Sequence, residues 1–157
     1  MNVPVRYGLI LGLVVTVINL AIPALGLHTS MGMSAIFLVV VIAINIAVVV
    51  VALGKTAADA NYGGQVLNGL VLGAVAGVIV FVGSWLTTSV VFPNYMAEVA
   101  EATRDTLASF GLPADDIDAQ LAGTGSVDSA FQGAIGTLIT SVVVAAITAI
   151  FKRADKA

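Results

Sequence analysis

Four long stretches without a charged residue dominate the hydrophobic pattern of this chain. Each is long enough for an α-helix, which rises about 1.5 Å per residue, to cross a hydrocarbon core about 30 Å thick. The pattern therefore predicts an all-α integral membrane bundle of four transmembrane helices, forming a single transmembrane domain over residues 1–157. The charge-free runs are residues 8–27, 35–53, 66–92 and 130–151, and the predicted spans are about 7–27, 33–53, 64–92 and 129–152.

The connection between the third and fourth spans, residues 93–128, has a helical pattern of its own. Apolar residues recur there at helical spacing, and Gly111 followed by Pro113 is typical of a helix end. We expect a short amphipathic helical cap with its apolar side packed on protein, and Glu101 is placed to pair with Arg104 three residues further on. The predicted apolar face consists of Met96, Val99, Thr103, Leu107 and Phe110.

The distribution of charge indicates the orientation of the bundle. Basic residues that flank membrane spans mark the cytoplasmic side. The connection 93–128 holds seven of the nine acidic residues and, among the six basic residues, only Arg104. We therefore expect both termini on the cytoplasmic side and the cap outside. The five basic residues on the predicted inner side are Arg6, Lys55, Lys152, Arg153 and Lys156.

Four aromatic side chains favour the same orientation. Tyr and Trp prefer the headgroup level, where an apolar ring and a polar tip are both accommodated. Tyr7 and Tyr62 fall at the predicted inner boundary. Trp85 lies 19 residues beyond Val66, about 28 Å along the helix axis, and so falls at the outer boundary with Tyr95 just above it. These four residues are predicted to be membrane-interface anchors.

Glycines predict where the spans pack closely. The hydrophobic effect does not bring helices together inside lipid, so small residues that let backbones approach must supply much of the packing. The third span carries Gly69, Gly73 and Gly77 at four-residue intervals, and the first span carries Gly8 and Gly12. We expect the third span to be the central helix. Its glycine ridge packs either within the chain or against a second chain, and periodicity does not distinguish the two.

Polar residues inside the spans are few, and none is ionisable. Ion- and proton-coupled transporters usually carry an ionisable residue there, which counts against that class. Asn19 and Asn45 fall at similar predicted depths, so we expect a hydrogen bond between them that clamps the first two spans together. The alternative is that both line a polar path for a substrate.

Candidate catalytic and metal-binding groups are sparse. His28 is the only histidine; it falls in the outer hairpin 28–34, where we expect it to be solvated, and one histidine makes neither a triad nor a metal site. The acids at 115–118 lack the spacing of a calcium loop, and the chain has neither cysteine, a phosphate-binding glycine motif nor a basic stripe. We predict no enzymatic activity, no cofactor and no nucleic-acid partner.

Several short motifs point to a known family. Arg6-Tyr7-Gly8 opens the first span, and Asn61-Tyr62-Gly63-Gly64-Gln65 leads into the glycine ridge. Phe92-Pro93-Asn94-Tyr95 precedes an acidic helix, and Phe151-Lys152-Arg153 forms a basic tail. In these features the chain resembles, over nearly its whole length, the bacterial four-helix membrane proteins called domain of unknown function 4199. The resemblance implies four helices in the cell inner membrane and brings no established activity or catalytic residue.

Two classes of function remain open. The favoured expectation is a non-enzymatic structural or accessory subunit in the lipid bilayer, either a homo-oligomer or bound to a membrane protein partner through the glycine ridge or the acidic cap. The alternative is a small oligomeric channel or carrier with a polar path lined by Asn19, Asn45 and Ser/Thr residues. Convergence of these polar positions on one lumen favours the alternative, whereas scatter over separate helix contacts favours packing.

Overall fold

The computed structural model describes residues 2–154, except for the Met31 side chain. Four of its helices are long and apolar enough to cross a membrane, so the chain is an all-α, multi-pass membrane protein. Two shorter helices occupy the predicted cap, and Lys156 of the predicted basic tail lies outside the described residues. In chain order the elements are α1 (Val3–Ala24), α2 (Met31–Thr56), α3 (Tyr62–Leu86), a π-helical turn (Thr87–Val91), α4 (Tyr95–Ser109), α5 (Ala114–Leu121) and α6 (Ser126–Phe151).

Short polar residues and glycines set the ends of the helices. The side chains of Asn2, Ser30 and Asn61 each accept a hydrogen bond from the backbone N–H three residues on. This is the usual N-cap arrangement, and it begins α1, α2 and α3. Gly26 and Gly111 follow α1 and α4 with φ angles of 67° and 80°. Glycine adopts this left-handed conformation without a steric cost, so both helices end there.

Two helices begin earlier in the chain than the spans predicted for them. α1 begins at Val3 rather than residue 7, because Asn2 caps it and Pro4 lies in its first turn, where a missing N–H costs little. α6 begins at Ser126 rather than residue 129, and the side chain of Asp128 accepts a hydrogen bond of 3.3 Å from the backbone N–H three residues earlier. The first turns of α1 and α6 contain polar or charged residues, so a search for charge-free apolar runs places the start of each helix too late.

α3 is the central helix of the bundle and packs on α1 on one side and α6 on the other. A Cβ added to Gly12 would lie 2.7 Å from Ile79 Cβ, and one added to Gly73 would lie 2.8 Å from Ser141 Cβ. Such distances are too short for any residue larger than glycine. The predicted ridge therefore packs within the chain. The contacts at the other glycines are Gly8 with Leu72 and Val75, Gly69 with Ala145, and Gly77 with Ala134.

α2 is the peripheral helix and contacts mainly α1 and α6. Its Val49 and Leu53 side chains are fully buried, whereas Leu38 and Val39 nearer its start are 61% and 66% exposed. Exposed apolar side chains are expected on a helix that faces lipid. α2 is therefore packed tightly at one end of the bundle and loosely at the other. We call these the terminal end, where α1 begins and α6 ends, and the cap end, which carries α4 and α5.

Gln65 closes the terminal end. Its side chain is fully buried. The Nε2 atom donates hydrogen bonds to the carbonyl oxygens of Leu53 at 3.0 Å and Lys152 at 2.7 Å, while Oε1 accepts one from the Thr56 hydroxyl at 2.7 Å. A single amide thus joins the last turns of α2 and α6 to the first turn of α3.

The cap consists of α4 and α5, joined by an ion pair that differs from the predicted one. Arg104 Nη2 donates to Asp118 Oδ1 at 2.5 Å, and this contact raises the pKa of the Arg104 guanidinium. The predicted pairing of Arg104 with Glu101 is wrong, because α5 folds back along α4 and brings a closer carboxylate. Phe110, predicted to lie on the packed apolar face, is 73% exposed. It follows the last turn of α4 and lies beyond the surface that α5 and α6 cover.

Candidate ligand-binding cavity

A cavity of about 520 Å³ lies in the cap half of the bundle, within the size range of small-molecule sites. It follows α2 from Ser34 to Asn45 and α6 from Ser129 to Thr140, about 16 Å of each helix at 1.5 Å per residue. α1 and α3 form the back of the cavity, and Tyr95 at the start of α4 lies at its mouth. All four long helices and the start of α4 therefore contribute residues to the wall of this cavity.

The cavity lining combines apolar surface with uncharged polar groups. α2 supplies much of the apolar part, including Phe37, Leu38 and Val41. Among the described residues that line the cavity, none is charged. Neutral hydrogen-bonding groups are therefore the only specific polar contacts that this lining offers to a ligand. They are Asn19, Ser34, Asn45, Tyr95, Ser129, Gln132, Thr137 and Thr140.

Asn19 and Asn45 face this same cavity but do not bond to each other. Asn19 Nδ2 donates to Ser84 Oγ on α3 at 2.9 Å. Asn45 Nδ2 donates to the carbonyl of Thr137 on α6 at 3.3 Å, and its Oδ1 accepts from Ser141 Oγ at 3.2 Å. The predicted clamp between the two asparagines is wrong, because each one bonds across its own packing interface, α1 with α3 and α2 with α6.

Packed side chains form the floor of the cavity. Asn45 lies at the deep end, and its partner Ser141 is fully buried. Beyond it toward the terminal end, Leu11, Val49 and Leu72 are also fully buried. The cavity therefore stops about halfway through the bundle, and Gln65 closes the far end.

A smaller cavity of about 200 Å³ adjoins the first one. Asn19 and Tyr95 line both, while Ser84, Thr87 and Thr88 line only the smaller cavity. The hydroxyls of Thr87 and Thr88 donate to backbone carbonyls four residues earlier, at 2.8 and 3.0 Å. The polar residues of the third span thus lie next to the main cavity, with two of their hydroxyls already bonded to backbone.

His28, Tyr95 and Glu98 form a contact at the mouth of the cavities. His28 Nε2 lies 2.6 Å from Glu98 Oε2, and its ring stacks on Tyr95 with centroids 5.0 Å apart. The prediction that His28 is solvated is wrong, since its side chain is only 8% exposed where α4 passes over the hairpin. Burial raises the pKa of Tyr95, so its phenol stays protonated and neutral. This contact, the mouth clasp, holds the start of α4 against the α1–α2 hairpin.

The other predicted anchor residues occupy different environments. Tyr7 is half-buried and packs against the core. Tyr62 and Trp85 are 42% and 39% exposed, at the first and last turns of α3. Their role as membrane-interface anchors stays a prediction. Tyr95, by contrast, faces the cavities and the mouth clasp.

Sequence reasoning missed two parts of this arrangement. The lining residues of α6 follow helical spacing, since Ser129, Gln132, Gly133, Gly136 and Thr140 recur at intervals of one, three and four residues. This small and polar stripe was a readable signal for a cavity-facing helix. Gln65 enters the sequence analysis only as part of a motif, and its position before an apolar run does not reveal its hydrogen-bond partners in α2 and at the C-cap of α6.

The chain also matches a known family along most of its length. Residues 6–154 match the family described as "Protein of unknown function (DUF4199)". The chain belongs to this family. The DUF4199 match confirms the resemblance expected from the short motifs, and it runs from α1 to the end of the described chain. Comparisons with curated proteins and with solved structures gave no match. The family description carries no ligand or activity, so the cavity must be interpreted from its own geometry.

Proposed function

We propose that this protein is a non-enzymatic membrane protein that binds a small molecule in the cap-end cavity and acts as a carrier. The observation that supports this proposal is the convergence of Asn19, Asn45, Thr137 and Thr140 on one cavity. Asn19 and Asn45 bond across separate helix interfaces, so they stabilise packing, but both also line the same cavity. A cavity wall with amides and hydroxyls but no ionisable side chain suits binding better than catalysis.

The closed terminal half favours a carrier over an open channel. A channel needs a continuous path lined by polar groups or a gated constriction. Here the path ends on the buried side chains of Leu11, Val49 and Leu72. A carrier, in contrast, exposes its site to one side of the membrane at a time. We place the chain in the cell inner membrane with both termini in the cytoplasm, so the cavity opens toward the outer side.

A structural or accessory role is the second candidate, and the surface of the cap supports it. The glycine ridge is used within the chain, so a partner would have to bind elsewhere. Acidic residues are exposed on α4 and α5, and a partner with a basic surface would complement them. The exposed acidic residues are Glu98, Glu101, Asp105, Asp115, Asp116 and Asp118.

Cysteine labelling of neighbouring positions on α6 tests whether the cavity is accessible. The chain contains no cysteine, so each introduced thiol is unique. Thr140 lines the cavity, whereas Ser141, the next residue, is fully buried. We expect Thr140→Cys to react with a small water-soluble thiol reagent added to the outside of intact cells, and Ser141→Cys to stay unreactive. Failure of Thr140→Cys to react, in a protein that folds normally, would contradict the proposal.

A further inference from the structure

The polar groups that face the cavity are not all used by the protein. Asn19 uses Nδ2 for its bond to Ser84. Among the described residues, no hydrogen bond reaches Asn19 Oδ1, the Gln132 amide, the Thr140 hydroxyl or the Tyr95 hydroxyl. Polar groups at membrane depth are costly unless they are bonded, so these free donors and acceptors are available to a ligand.

These free groups lie at the two ends of the cavity, with apolar surface between them. Gln132 and Tyr95 lie near the mouth, and Thr140 lies near the floor, about 12 Å deeper along α6 than Gln132. Phe37 and Ile42 of α2 contribute apolar surface to the intervening wall. This arrangement fits a molecule with an apolar body and hydrogen-bonding groups at its ends.

The absence of charge in the lining restricts the ligand further. A charged group at membrane depth needs a partner of opposite charge, and none of the described lining residues supplies one. The acidic cap above the mouth would in addition repel anions. Tyr95 stays a neutral phenol. The lining can therefore pair the polar groups of an uncharged ligand, but not the charged group of a charged one.

The side of the cavity indicates how such a molecule enters. Leu38 and Ile42 of α2 line the cavity and are still 61% and 40% exposed. Gly133 and Gly136 on α6 also line it and are exposed. A gap between α2 and α6 therefore opens sideways, between two helices that are long and apolar enough to cross a membrane.

We infer that the ligand is an uncharged, membrane-soluble molecule with an apolar body and terminal hydrogen-bonding groups, which enters from the outer half of the bilayer between α2 and α6. This inference rests on the proposed function, because it names the class of molecule that the cavity binds. Asn19, Gln132 and Thr140 bond to its polar groups, and α2 covers its apolar body.

Photocrosslinking in lipid vesicles that contain the full-length protein tests this inference. The probes are three 12-carbon chains with a mid-chain diazirine, ending in an alcohol, a sulfonate or a quaternary ammonium group. We expect the alcohol to crosslink to cavity residues of α2 and α6, and the two charged probes to label them roughly a hundredfold less. Mass spectrometry of the crosslinked peptides identifies the labelled residues.

Two variants make the test specific. A Cβ at Gly136 would meet nothing within 4 Å, so Gly136→Phe fills the cavity without a backbone collision. Val143→Phe adds the same ring to an exposed position on the same helix and serves as the control. Gly136→Phe should abolish the cavity crosslinks of the alcohol, and Val143→Phe should retain them.

Each alternative outcome overturns a definite claim. Cavity labelling by a charged probe as strong as that by the alcohol would overturn the inferred ligand class and leave the proposed binding function standing. Equal alcohol labelling of the wild type and Gly136→Phe would show that the probe lies outside the cavity, and would overturn the inference as well. If Thr140→Cys is also unreactive toward thiol reagents, the proposed function fails with it.

Discussion

At the scale of single residues, Gln65 is the clearest case in which one side chain holds several elements together. Its amide donates to carbonyl groups near the ends of two helices, those of Leu53 in α2 and Lys152 after α6. A fully satisfied buried amide is stabilising, whereas removal of one partner leaves the others unpaired. The closure of the bundle at its terminal end therefore depends on Gln65, which does not line the cavity.

Gln65→Leu should lower the free energy of unfolding by roughly 1–3 kcal/mol, because it leaves the carbonyls of Leu53 and Lys152 without this donor. Thermal unfolding in detergent measures the change. Gln132→Leu replaces an exposed amide of the same size and is the matched control. Equal melting temperatures for the two variants would show that the Gln65 contacts do not stabilise the fold.

The mouth clasp predicts a local effect rather than a global one. His28→Ala removes both the bond to Glu98 and the stacking on Tyr95, so the start of α4 should separate more often from the hairpin. Amide hydrogen exchange should increase in α4, and the exchange of α3 should be unchanged. Glu101→Ala, on the same helix, is the control. Unchanged exchange in α4 of the His28 variant would contradict the clasp.

Residue-scale contacts were also where sequence reasoning failed most often. Asn19 and Asn45 were expected at similar depths, but Asn19 bonds to Ser84 near the cap end of α3, whereas Asn45 bonds to Thr137 and Ser141 deeper in the bundle. The burial of His28 depends on the path of α4, and the pairing of Arg104 depends on how α5 folds back. Partners separated by 14 to 96 residues in these bonds leave no local signature.

At the scale of helices, small residues explain why α3 is central. Its buried glycines bring its backbone close to α6, and the glycines of α1 bring α1 close to α3. Four-residue spacing of glycine was visible in the sequence, and so was the resulting contact face. The sequence does not show which helix fills that face, because α1 and α6 both carry small residues. Those of α1 are Gly8 and Gly12, and those of α6 include Ser141 and Ala145. The charge-free runs were equally readable, since lipid imposes them directly.

Gly69→Ala should destabilise the bundle by roughly 1–3 kcal/mol, because the added methyl group collides with Ala145. Gly63→Ala lies on the same helix, where the nearest atom is 3.9 Å from the added Cβ. That control should be neutral or slightly stabilising, since alanine favours helix over glycine. Melting temperatures in detergent compare the two. If both variants unfold at the wild-type temperature, α3 and α6 do not pack through Gly69.

At the scale of the whole molecule, the two halves of the bundle differ. The terminal half is closed by glycine contacts, buried leucines and Gln65. The cap half contains the cavities, and α4 has no buried residue among those described. A closely packed half joined to a half that contains cavities is the architecture expected of a protein that opens at one end. The proposed orientation turns the looser half outward.

Single cysteines test this orientation. Ser109 lies at the end of α4 and Asp59 lies in the α2–α3 loop, and both are exposed. Ser109→Cys should react with a membrane-impermeant thiol reagent on intact cells, whereas Asp59→Cys should react only after the cells are opened. Reaction of both cysteines on intact cells, or the reverse pattern, would contradict the placement of the termini in the cytoplasm.

The most direct test of the central claim is native mass spectrometry of the protein purified from its native host in gentle detergent. A small-molecule binding protein should be recovered as one or more copies of this chain that retain an uncharged, non-protein molecule. The Gly136→Phe variant should lose that molecule while keeping its oligomeric state. Recovery of a complex with stoichiometric partner chains, and with no small molecule in the cavity, would contradict the account and favour an accessory subunit.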